Sequence, residues 1–432
     1  MNAAHSSDHT RPDPHIVVVG LGYVGLPLAV ALSEHFETTG IDIDQERVEA
    51  LRRHCDSTNE VSAERLAASR LLIVQDLGDA NPADIYIIAV PTPVDANNAP
   101  DLSILEAATR AVAPHLDASR RSIVCYESTV YPGATEEFCG PILEAVSGLK
   151  RSRDFVLGYS PERINPGDRE HTIDRVVKVV AGEDDEVVSE LAGIYGAITS
   201  AGTYAAPSIK VAEAAKVIEN AQRDLNIAFM NEIAQIFSAV EVSVWDVLEA
   251  ARTKWNFLPF EPGLVGGHCI GVDPYYLAHR AKQVGHDPRI ILAGREINDG
   301  MAQWVADRIG EQLAPASRML VLGLTFKEDL PDLRNTKVAD LIARLRSLGH
   351  RVDVADPYAS RSQAKRHYGL ELTEPTDDAN YDAVVVAVPH RAYRTAGVEA
   401  VRKFLSSGGL LVDIKGVYDP AQVPSELRYW RM

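Results

Sequence analysis

Short apolar runs alternate with stretches of helical periodicity along the first half of the chain. The first run, His15–Val19, leads into a glycine-rich turn and then into residues 26–35, where apolar side chains recur at helical spacing. Five more apolar runs of strand length follow, with helix-like stretches between them, at 38–43, 71–74, 85–90, 123–126 and 155–159. This alternation of strands and helices predicts a parallel, doubly wound sheet.

The pattern changes after residue 204, where the short apolar runs stop. Residues 207–240 have no internal Gly or Pro and are rich in Ala, Glu, Lys, Asn and Ile, which predicts one helix of over 30 residues. At about 1.5 Å per residue such a helix is about 50 Å long, and Pro207 suits its first turn. A helix of this length typically spans two lobes or forms a dimer interface.

Two shorter helices are expected on either side of a loop rich in glycine and proline, residues 252–276. One covers 245–251 and the other runs from about 290 to 313. The alternation of strands and helices then restarts, with apolar runs at 318–323, 350–354, 383–388 and 409–414. These runs predict a second α/β domain of about 115 residues.

The predicted fold class is therefore α/β, with two Rossmann-like doubly wound parallel sheets joined by a long central helix and a helical middle domain. A chain of 432 residues is long enough for two or three domains. The changes in pattern place a disordered tail at 1–14, a first Rossmann domain at 15–205, a central helical domain with the glycine-rich loop at 206–305, and a second Rossmann-like domain at 306–432.

Composition is typical of an ordinary soluble protein, with 46% apolar and 24% charged residues. The formal net charge, 43 basic minus 61 acidic side chains, is −18, which argues against nucleic acid as a partner. No apolar run approaches the roughly 20 residues that span a bilayer, so no membrane association is expected. The polar segment 1–14 lacks the apolar core of a secretory signal, and we expect a cytoplasmic protein.

The four cysteines, Cys55, Cys125, Cys139 and Cys269, lie far apart and form no CxxC pair. A disulfide framework or a structural zinc site is therefore not expected. His268 has no second ligand at the spacing of a zinc site, so we predict no bound metal.

Gly20, Gly22 and Gly25 form a GxGxxG turn between the first strand and the first helix. Such glycines allow a tight turn, a close approach of the backbone to a pyrophosphate, and close packing of the helix on the strand. Asp42, or alternatively Asp44, ends the second strand, where a carboxylate binds the ribose hydroxyls of NAD and repels the 2′-phosphate of NADP. The turn therefore predicts an NAD site, a purely structural turn being the alternative. Further contacts with NAD are assigned to Tyr23, Val24 and Arg47.

Polar residues follow three more of the predicted strands, at the edge of a sheet where cofactors bind. Thr92 and Thr129 are candidates to donate to the cofactor or to hold a water, and capping of a helix or turn is the alternative. Glu162 is a candidate general base for hydrolysis, although a carboxylate in a surface turn is the more frequent explanation. Arg163 and Ile164, in the same loop, are assigned as substrate contacts.

Lys216, Asn220 and Arg223 recur at helical spacing on the long helix and share one face. An ammonium and a carboxamide that point at one site stabilise an oxyanion. We therefore assign all three residues to the substrate site, with a solvated helix face as the alternative.

Cys269 closes a Gly-Gly-His-Cys run, with Asp273 four residues further on. A thiolate holds an aldehyde carbon as a hemithioacetal, which a nicotinamide enzyme needs only when it oxidises the aldehyde further. A free thiol has a pKa of about 8.5, which a nearby cation such as Lys216 or His268 lowers. The pairing of this thiol with an NAD turn favours oxidation of an alcohol to a carboxylate. An inert buried cysteine is the alternative.

Lys327 and Arg334 follow the first strand of the second α/β domain. Cations in this position are candidates for holding the phosphates of either ligand. Ordinary surface cations are the alternative.

Together these residues resemble the UDP-glucose/GDP-mannose dehydrogenase family from about His15 to the C-terminus. The resemblance implies a first domain that binds NAD, a helical core that dimerises, and a C-terminal domain that holds the nucleotide sugar. It also implies a two-fold oxidation of C6 of a nucleotide-linked hexose with two NAD. The motifs that carry it are the glycine turn with Asp42, Val90-Pro91-Thr92-Pro93, Ser128-Thr129-Val130, Pro161-Glu162, Lys216 with Asn220, Gly266-Gly267-His268-Cys269, and Phe326-Lys327 with Asp332-Leu333-Arg334.

The resemblance also implies a role for each matching residue. Arg252 resembles the family's arginine that reaches the substrate of the neighbouring subunit, which implies a homodimer formed through the long helix. Gly266 and Lys327 become substrate contacts, and Arg334 becomes a cofactor contact. The chemistry falls to Cys269 as nucleophile, Lys216 and Asn220 as the oxyanion site, Glu162 as acid/base, and Asp273 with Thr129 to orient the hydrolytic water.

Position 272 bears on the substrate within this family. Members that oxidise UDP-glucose usually carry Lys three residues after the cysteine, and this chain has Val272 there. The surrounding run resembles the branch that acts on UDP-N-acetylhexosamines, UDP-GlcNAc or UDP-GalNAc, and contributes to bacterial surface polysaccharides. UDP-ManNAc, UDP-glucose and GDP-mannose are alternative substrates.

Two functions of other kinds remain open on the residues alone. A two-electron hydroxyacid dehydrogenase has a similar Rossmann and long-helix plan, but it uses a lysine and no thiol. A non-catalytic sensor of NAD and nucleotide sugars would bind both ligands without forming NADH. The thiol-dependent enzyme instead predicts two NADH for each nucleotide sugar.

Overall fold

A computed structural model describes residues 14–164, 170–267 and 269–432. These residues form two compact units. The first contains the residues up to Glu219 together with Tyr275–His286, and the second contains Asn220–Pro274 together with Asp287–Met432. The predicted tail, apart from Pro14, lies outside the described residues, as do His268 and 165–169. Within the described ranges, no helix combines the length and apolarity that crossing a bilayer requires.

The first unit is built on a sheet of eight strands with helices between them. Its strands are β1 His15–Val19, β2 Glu37–Ile41, β3 Leu72–Val74, β4 Ile85–Ile88, β5 Ser122–Tyr126, β6 Phe155–Tyr159, β7 Lys178–Gly182 and β8 Thr203–Ala205. Its helices are α1 Gly25–Ser33, α2 Gln45–Arg52, α3 Ala63–Ala68, α4 Ser103–Val112, α5 Gly140–Ser147 and α6 Asp185–Ile198, with short helical turns at Leu77–Asp79, Ala113–His115 and Thr135–Cys139.

The strands of this sheet run in the order β3-β2-β1-β4-β5-β6-β7-β8. The order reverses between β1 and β4, which is the switch point where a doubly wound sheet binds its ligand. All neighbouring pairs are parallel except β6 and β7, which are antiparallel. The sequence pattern did not predict β7, β8 or this reversal of direction.

Strand β1 shows why the sheet is covered on both faces. Alternate residues of a strand point to opposite faces, and here Ile16 and Val18 pack into one core layer while Val17 and Val19 pack into the other. A near-continuous apolar run is typical of parallel strands that are buried on both sides.

The long helix α7 extends over Ile209–Ala239, 31 residues, and contributes to both units. It begins after Ser208, whose hydroxyl accepts the N–H of Val211 and caps the helix. Pro207 therefore lies just before the cap rather than in the first helical turn, as the sequence had suggested.

The second unit combines helices with a five-stranded sheet. Its strands are β9 Arg318–Leu322, β10 Arg351–Ala355, β11 Tyr381–Val386, β12 Leu405–Asp413 and β13 Arg428–Arg431, in the order β10-β9-β11-β12-β13 and parallel throughout. The remaining helices are α8 Val244–Arg252, α9 Asp273–Gln283, whose residues from Tyr275 belong to the first unit, α10 Arg289–Gly310, α11 Lys337–Ser347, α12 Arg361–Tyr368 and α13 Arg391–Arg402, with a short turn at Pro420–Gln422. The predicted fold class, α/β with two Rossmann-like sheets, is confirmed.

Candidate active site

The glycine turn lies between β1 and α1, at the switch point of the first sheet. Gly20 has a positive φ of 95°, and a Cβ there would lie 2.9 Å from the carbonyl oxygen of Ala89. At Gly25 a Cβ would stand 1.8 Å from the Gly20 oxygen, so α1 can approach the turn only without a side chain. A Cβ on Gly22 would meet no atom within 4 Å, which leaves room for a ligand. The geometry fits the pyrophosphate of a dinucleotide.

The carboxylate of Asp42, just after β2, lies beside this turn. Its oxygens accept the N–H of Leu21 at 2.9 Å and of Asp44 at 3.0 Å. Asp44 itself caps α2 by accepting the N–H groups of Glu46 and Arg47. Because the cap already engages Asp44, Asp42 is the better placed of the two for a ribose.

Arg47 stabilises the glycine turn by hydrogen bonds to its backbone. Its Nε and Nη2 both donate to the carbonyl oxygen of Leu21, at 3.0 and 2.9 Å, and its Nη1 lies 2.7 Å from Asp56. Arg47 thus supports the backbone of the glycine turn, where the sequence predicts the cofactor. Tyr23 and Val24 lie half-buried in the turn itself.

Hydrogen bonds tie the loop after β4 to the loop after β5. The Thr92 hydroxyl donates to the carbonyl of Thr129 at 2.7 Å, and the Ser128 hydroxyl donates to the carbonyl of Val90 at 2.7 Å. Both loops leave the carboxyl edge of the sheet, which is the edge where a doubly wound sheet binds its ligand.

Glu162, in the loop after β6, is 5% exposed and accepts several hydrogen bonds. Its Oε1 accepts the N–H groups of Arg163 and Ile164, both at 2.6 Å, and its Oε2 lies 3.4 Å from the ammonium of Lys178. Its backbone carbonyl accepts a hydrogen bond from Lys216 Nζ at 2.7 Å. The loop therefore connects two residues that the sequence assigned to the chemistry, Glu162 and Lys216.

Lys178 and Glu127 were not assigned a role from the sequence. Lys178 is fully buried, with Nζ 3.1 Å from Glu127 Oε1. Burial alone would lower the pKa of Lys178, but Glu127 and Glu162 raise it above its usual value. Burial raises the pKa of Glu127. The available signal was a lysine inside the apolar run Val-Val-Lys-Val-Val, since a charge there has to be paired.

In the second unit, Asn220, Asp273 and Cys269 form a connected group. Asn220 Nδ2 donates to Asp273 Oδ2, and Asp273 is 1% exposed at the start of α9. The carbonyl of Cys269 accepts the N–H groups of Val272 at 3.1 Å and of Asp273 at 2.8 Å. Cys269 is half-buried, which leaves its side chain partly open to a ligand.

The other predicted substrate contacts are more exposed. Arg163 pairs with Glu219 at 3.0 Å within the first unit, and Arg252 pairs with Glu261 within the second. Arg223 is exposed on α7. Ile164 is half-buried and packs against the core of the first sheet.

A cleft opens at the switch point of the second sheet, between β9 and β11. Gly266 and Lys327, two predicted substrate contacts, line it together with Lys415, which follows β12 and was missed from the sequence. Several lysines at the carboxyl edge of a parallel sheet suit a diphosphate. Arg334, predicted for the cofactor, forms a two-pronged ion pair with Asp332, at 3.0 and 2.7 Å.

Comparison with known proteins identifies the family of the chain. Three domain profiles of the UDP-glucose/GDP-mannose dehydrogenase family match the chain: the NAD binding domain at residues 14–199, the central domain at 210–300 and the UDP binding domain at 320–420. The chain is 48% identical to UDP-N-acetyl-D-glucosamine 6-dehydrogenase of Pseudomonas aeruginosa, covering 94% of this chain and 98% of that protein. It is 47% identical to Protein CapL of Staphylococcus aureus, covering 97% and 99%.

A solved structure shows the same fold. The UDP-D-ManNAc dehydrogenase of Pyrococcus horikoshii matches with a TM-score of 0.85 at 27% identity, over 96% of this chain and 98% of that one. The predicted dependence on NAD is confirmed by the matching NAD binding domain. The chain therefore belongs to the UDP-glucose/GDP-mannose dehydrogenase family and is an NAD-dependent oxidoreductase of nucleotide sugars.

Proposed function

We propose that this protein oxidises C6 of a UDP-N-acetylhexosamine, UDP-GlcNAc or UDP-GalNAc, to the uronic acid. The observation that carries the proposal is the hydrogen-bonded group around the half-buried Cys269. The backbone carbonyl of Cys269 accepts the N–H of Asp273, and the carboxylate of Asp273 accepts a hydrogen bond from the Asn220 amide. The name of the Pseudomonas relative, at 48% identity, favours N-acetylglucosamine, and Val272 agrees with the N-acetylated class.

The first oxidation makes an aldehyde that the thiol retains. The C6 hydroxyl loses its proton, with Glu162 as the proposed acid/base, while a hydride leaves C6. When bound, NAD supplies the hydride acceptor for both oxidations. The thiolate of Cys269 then adds to the aldehyde carbon, and the carbonyl oxygen becomes an alkoxide. The Lys216 ammonium and the Asn220 amide stabilise that oxygen.

The second oxidation makes a thioester that water cleaves. Loss of a hydride from the hemithioacetal leaves an acyl group on the Cys269 sulfur. Asp273 and Thr129 orient a water that adds to the acyl carbon, and the C–S bond breaks to return the thiolate. One alcohol, one water and two NAD thus give one carboxylate, two NADH and three protons. We propose that the product supplies bacterial surface polysaccharides, as the resemblance implies.

The nucleotide is expected in the cleft of the second unit. Lys327 and Lys415 line this cleft, and both can donate to the oxygens of a diphosphate. The match of residues 320–420 to the family's UDP binding domain supports this placement.

We also propose that two copies associate through α7. Four large apolar side chains along this helix, and that of Val240 directly after its last residue, are between 45% and 60% exposed; the N–H of Val240 still donates to the carbonyl of Ile236. They are separated by 7, 11, 7 and 4 positions, each close to a whole number of helical turns, so they form one stripe. An apolar stripe of this length favours burial against another apolar surface. Its members are Val211, Ile218, Phe229, Ile236 and Val240.

An assay of NADH across UDP-GlcNAc, UDP-GalNAc, UDP-ManNAc, UDP-glucose and GDP-mannose tests the function. We expect two NADH for each molecule of a UDP-N-acetylhexosamine, and the acid as product. Cys269→Ser should abolish net turnover, while Cys55→Ser, at an exposed cysteine, should not change it. One NADH with free aldehyde, or full activity of the Cys269→Ser variant, would overturn the thioester mechanism. Best activity on a sugar without the N-acetyl group would overturn the substrate class.

A further inference from the structure

A buried ion cluster joins three strand ends of the first sheet. Lys178 begins β7, which runs antiparallel to β6, so its ammonium lies at the edge where β5 and β6 end. The Nζ atom is 3.1 Å from Glu127 Oε1 and 3.4 Å from Glu162 Oε2. It also lies 4.9 Å from the centre of the Tyr195 ring.

The cost of burying charge argues against a purely stabilising role for this cluster. Two carboxylates and one ammonium lie almost entirely out of water, with Lys178 at 0% and Glu127 at 2% exposure. Removing charges from water is costly, and a well-packed apolar replacement of a buried ion pair is often neutral or stabilising. A cluster of this kind is best explained by the geometry that it imposes on its neighbours.

The contacts of Glu162 show which neighbours are affected. Its Oε2 faces Lys178, while its Oε1 accepts the N–H groups of Arg163 and Ile164 and so orients the backbone of these two residues. The backbone carbonyl of the same residue accepts the hydrogen bond from Lys216, which is 9% exposed. Glu162 therefore contacts the Lys178 ammonium through its side chain and the Lys216 ammonium through its backbone carbonyl.

We propose that Lys178 and Glu127 are positioning residues that hold the loop residues 162–164 in place and thereby orient the Lys216 ammonium. The inference rests on the proposed function only in giving Lys216 a part in the chemistry. Neither Lys178 nor Glu127 contacts the reacting atoms in this proposal. Both act through the loop.

Kinetics of the double variant Glu127→Gln/Lys178→Met test the proposal, because it removes the Lys178–Glu127 ion pair while Glu162 keeps the N–H groups of Arg163 and Ile164 as donors. We expect kcat to fall about 10- to 100-fold, with KM for NAD and for the nucleotide sugar within about threefold of the original values. The matched control is Arg151→Met/Glu183→Gln. That variant removes an ion pair beside the opposite end of β7 and should leave kcat and KM unchanged.

A second readout does not depend on the substrate. The acetylation rate of Lys216 by acetic anhydride, followed by peptide mass spectrometry, should rise about tenfold in the double variant because the ammonium loses its fixed acceptor. If the unaltered protein oxidises no nucleotide sugar, the proposed function fails, and this labelling still decides the inference.

Two outcomes would overturn the positioning role. One is a double variant with kcat within about twofold of the original value and the other is an unchanged rate of Lys216 acetylation. If the double variant does not fold, the single variant Glu127→Gln, which keeps Lys178, takes its place. It should still increase Lys216 acetylation about threefold, and an unchanged rate there would equally reject the proposal.

Discussion

The side-chain amide of Asn220 donates a hydrogen bond to the carboxylate of Asp273, although 53 positions separate them in the sequence. The backbone N–H of Asp273 in turn donates to the carbonyl of Cys269 at 2.8 Å. An amide nitrogen carries two hydrogens, so the bond to Asp273 orients Asn220 and leaves its second hydrogen for a substrate oxygen. Two hydrogen bonds thus connect the proposed oxyanion donor, Asn220, through the proposed water-orienting acid, Asp273, to the backbone of the proposed nucleophile, Cys269.

Asp273→Asn should separate thioester formation from thioester hydrolysis. The first turnover keeps its thiol and hydride steps, whereas water loses the carboxylate that orients it. We expect steady-state kcat to fall about 100- to 1,000-fold, while a burst of NADH remains in the first turnover. Stopped-flow absorbance measures the burst, and intact mass detects the acyl group retained on Cys269. Asp287→Asn, at an exposed acid of the same unit, is the control, and absence of both burst and adduct would contradict this role.

Asp42→Asn should weaken NAD binding and reduce the preference for NAD over NADP. The change removes the negative charge that favours ribose hydroxyls and repels a 2′-phosphate. We expect the Kd of NAD to rise about tenfold and the ratio of the two Kd values to shrink by a similar factor. Calorimetry with both cofactors measures the effect. In the control Asp44→Asn the helix cap is kept, since Asn caps as well as Asp. A larger effect at Asp44 would make that residue the ribose acid.

Phe229→Glu/Ile236→Glu should separate the proposed dimer into monomers. Two carboxylates in the middle of the apolar stripe would have to lose their water on association, which costs several kcal/mol for each buried unpaired charge. Sedimentation velocity measures the change in mass. Ile290→Glu makes the same kind of change at an apolar residue that is 74% exposed off the stripe, and it should leave the dimer intact. A monomeric unaltered protein would refute the interface.

The buried Asp356 carboxylate should make the second unit sensitive to acid. It accepts the N–H groups of Leu324 at 2.6 Å and Thr325 at 3.0 Å, and its Oδ2 lies 3.0 Å from His390 Nε2. Burial opposes ionisation, but His390 and the backbone donors prevail and lower the pKa of Asp356 to about 2. Because the unfolded chain binds this proton first, stability falls as the pH drops from about 4 towards 2.

The variant Asp356→Asn tests this dependence. It should lower the free energy of unfolding by roughly 1–3 kcal/mol at pH 7, and the deficit should shrink below about pH 4, where the original carboxylate begins to lose its advantage. Urea unfolding followed by tryptophan fluorescence at several pH values measures both effects. Asp377→Asn, at an acid whose side chain is 70% exposed, serves as the control. An equal deficit at every pH would assign the loss to hydrogen bonding and not to charge.

Local pattern was enough to predict most elements of the fold. Strands β1 and β6 occupy the predicted residues, and α7 begins and ends within two residues of its predicted limits. These elements are encoded by apolar periodicity, glycine turns and helix propensity, all of which act over a few neighbouring residues. Strand β7 was not predicted because a lysine interrupts its short apolar run, and its reversed direction has no local signature.

The sequence by itself determined the chemical groups: the glycine turn with its acid, the ammonium and amide one turn apart on a helix, and the thiol in a glycine-rich loop. Only the tertiary structure decided which groups contact one another. The ion pair of Lys178 with Glu127 depends on the antiparallel direction of β7, and the hydrogen bond from Asn220 to Asp273 depends on the packing of α7 against the start of α9. Contacts between residues far apart in the chain arise from the packing of whole elements, and local periodicity does not specify that packing.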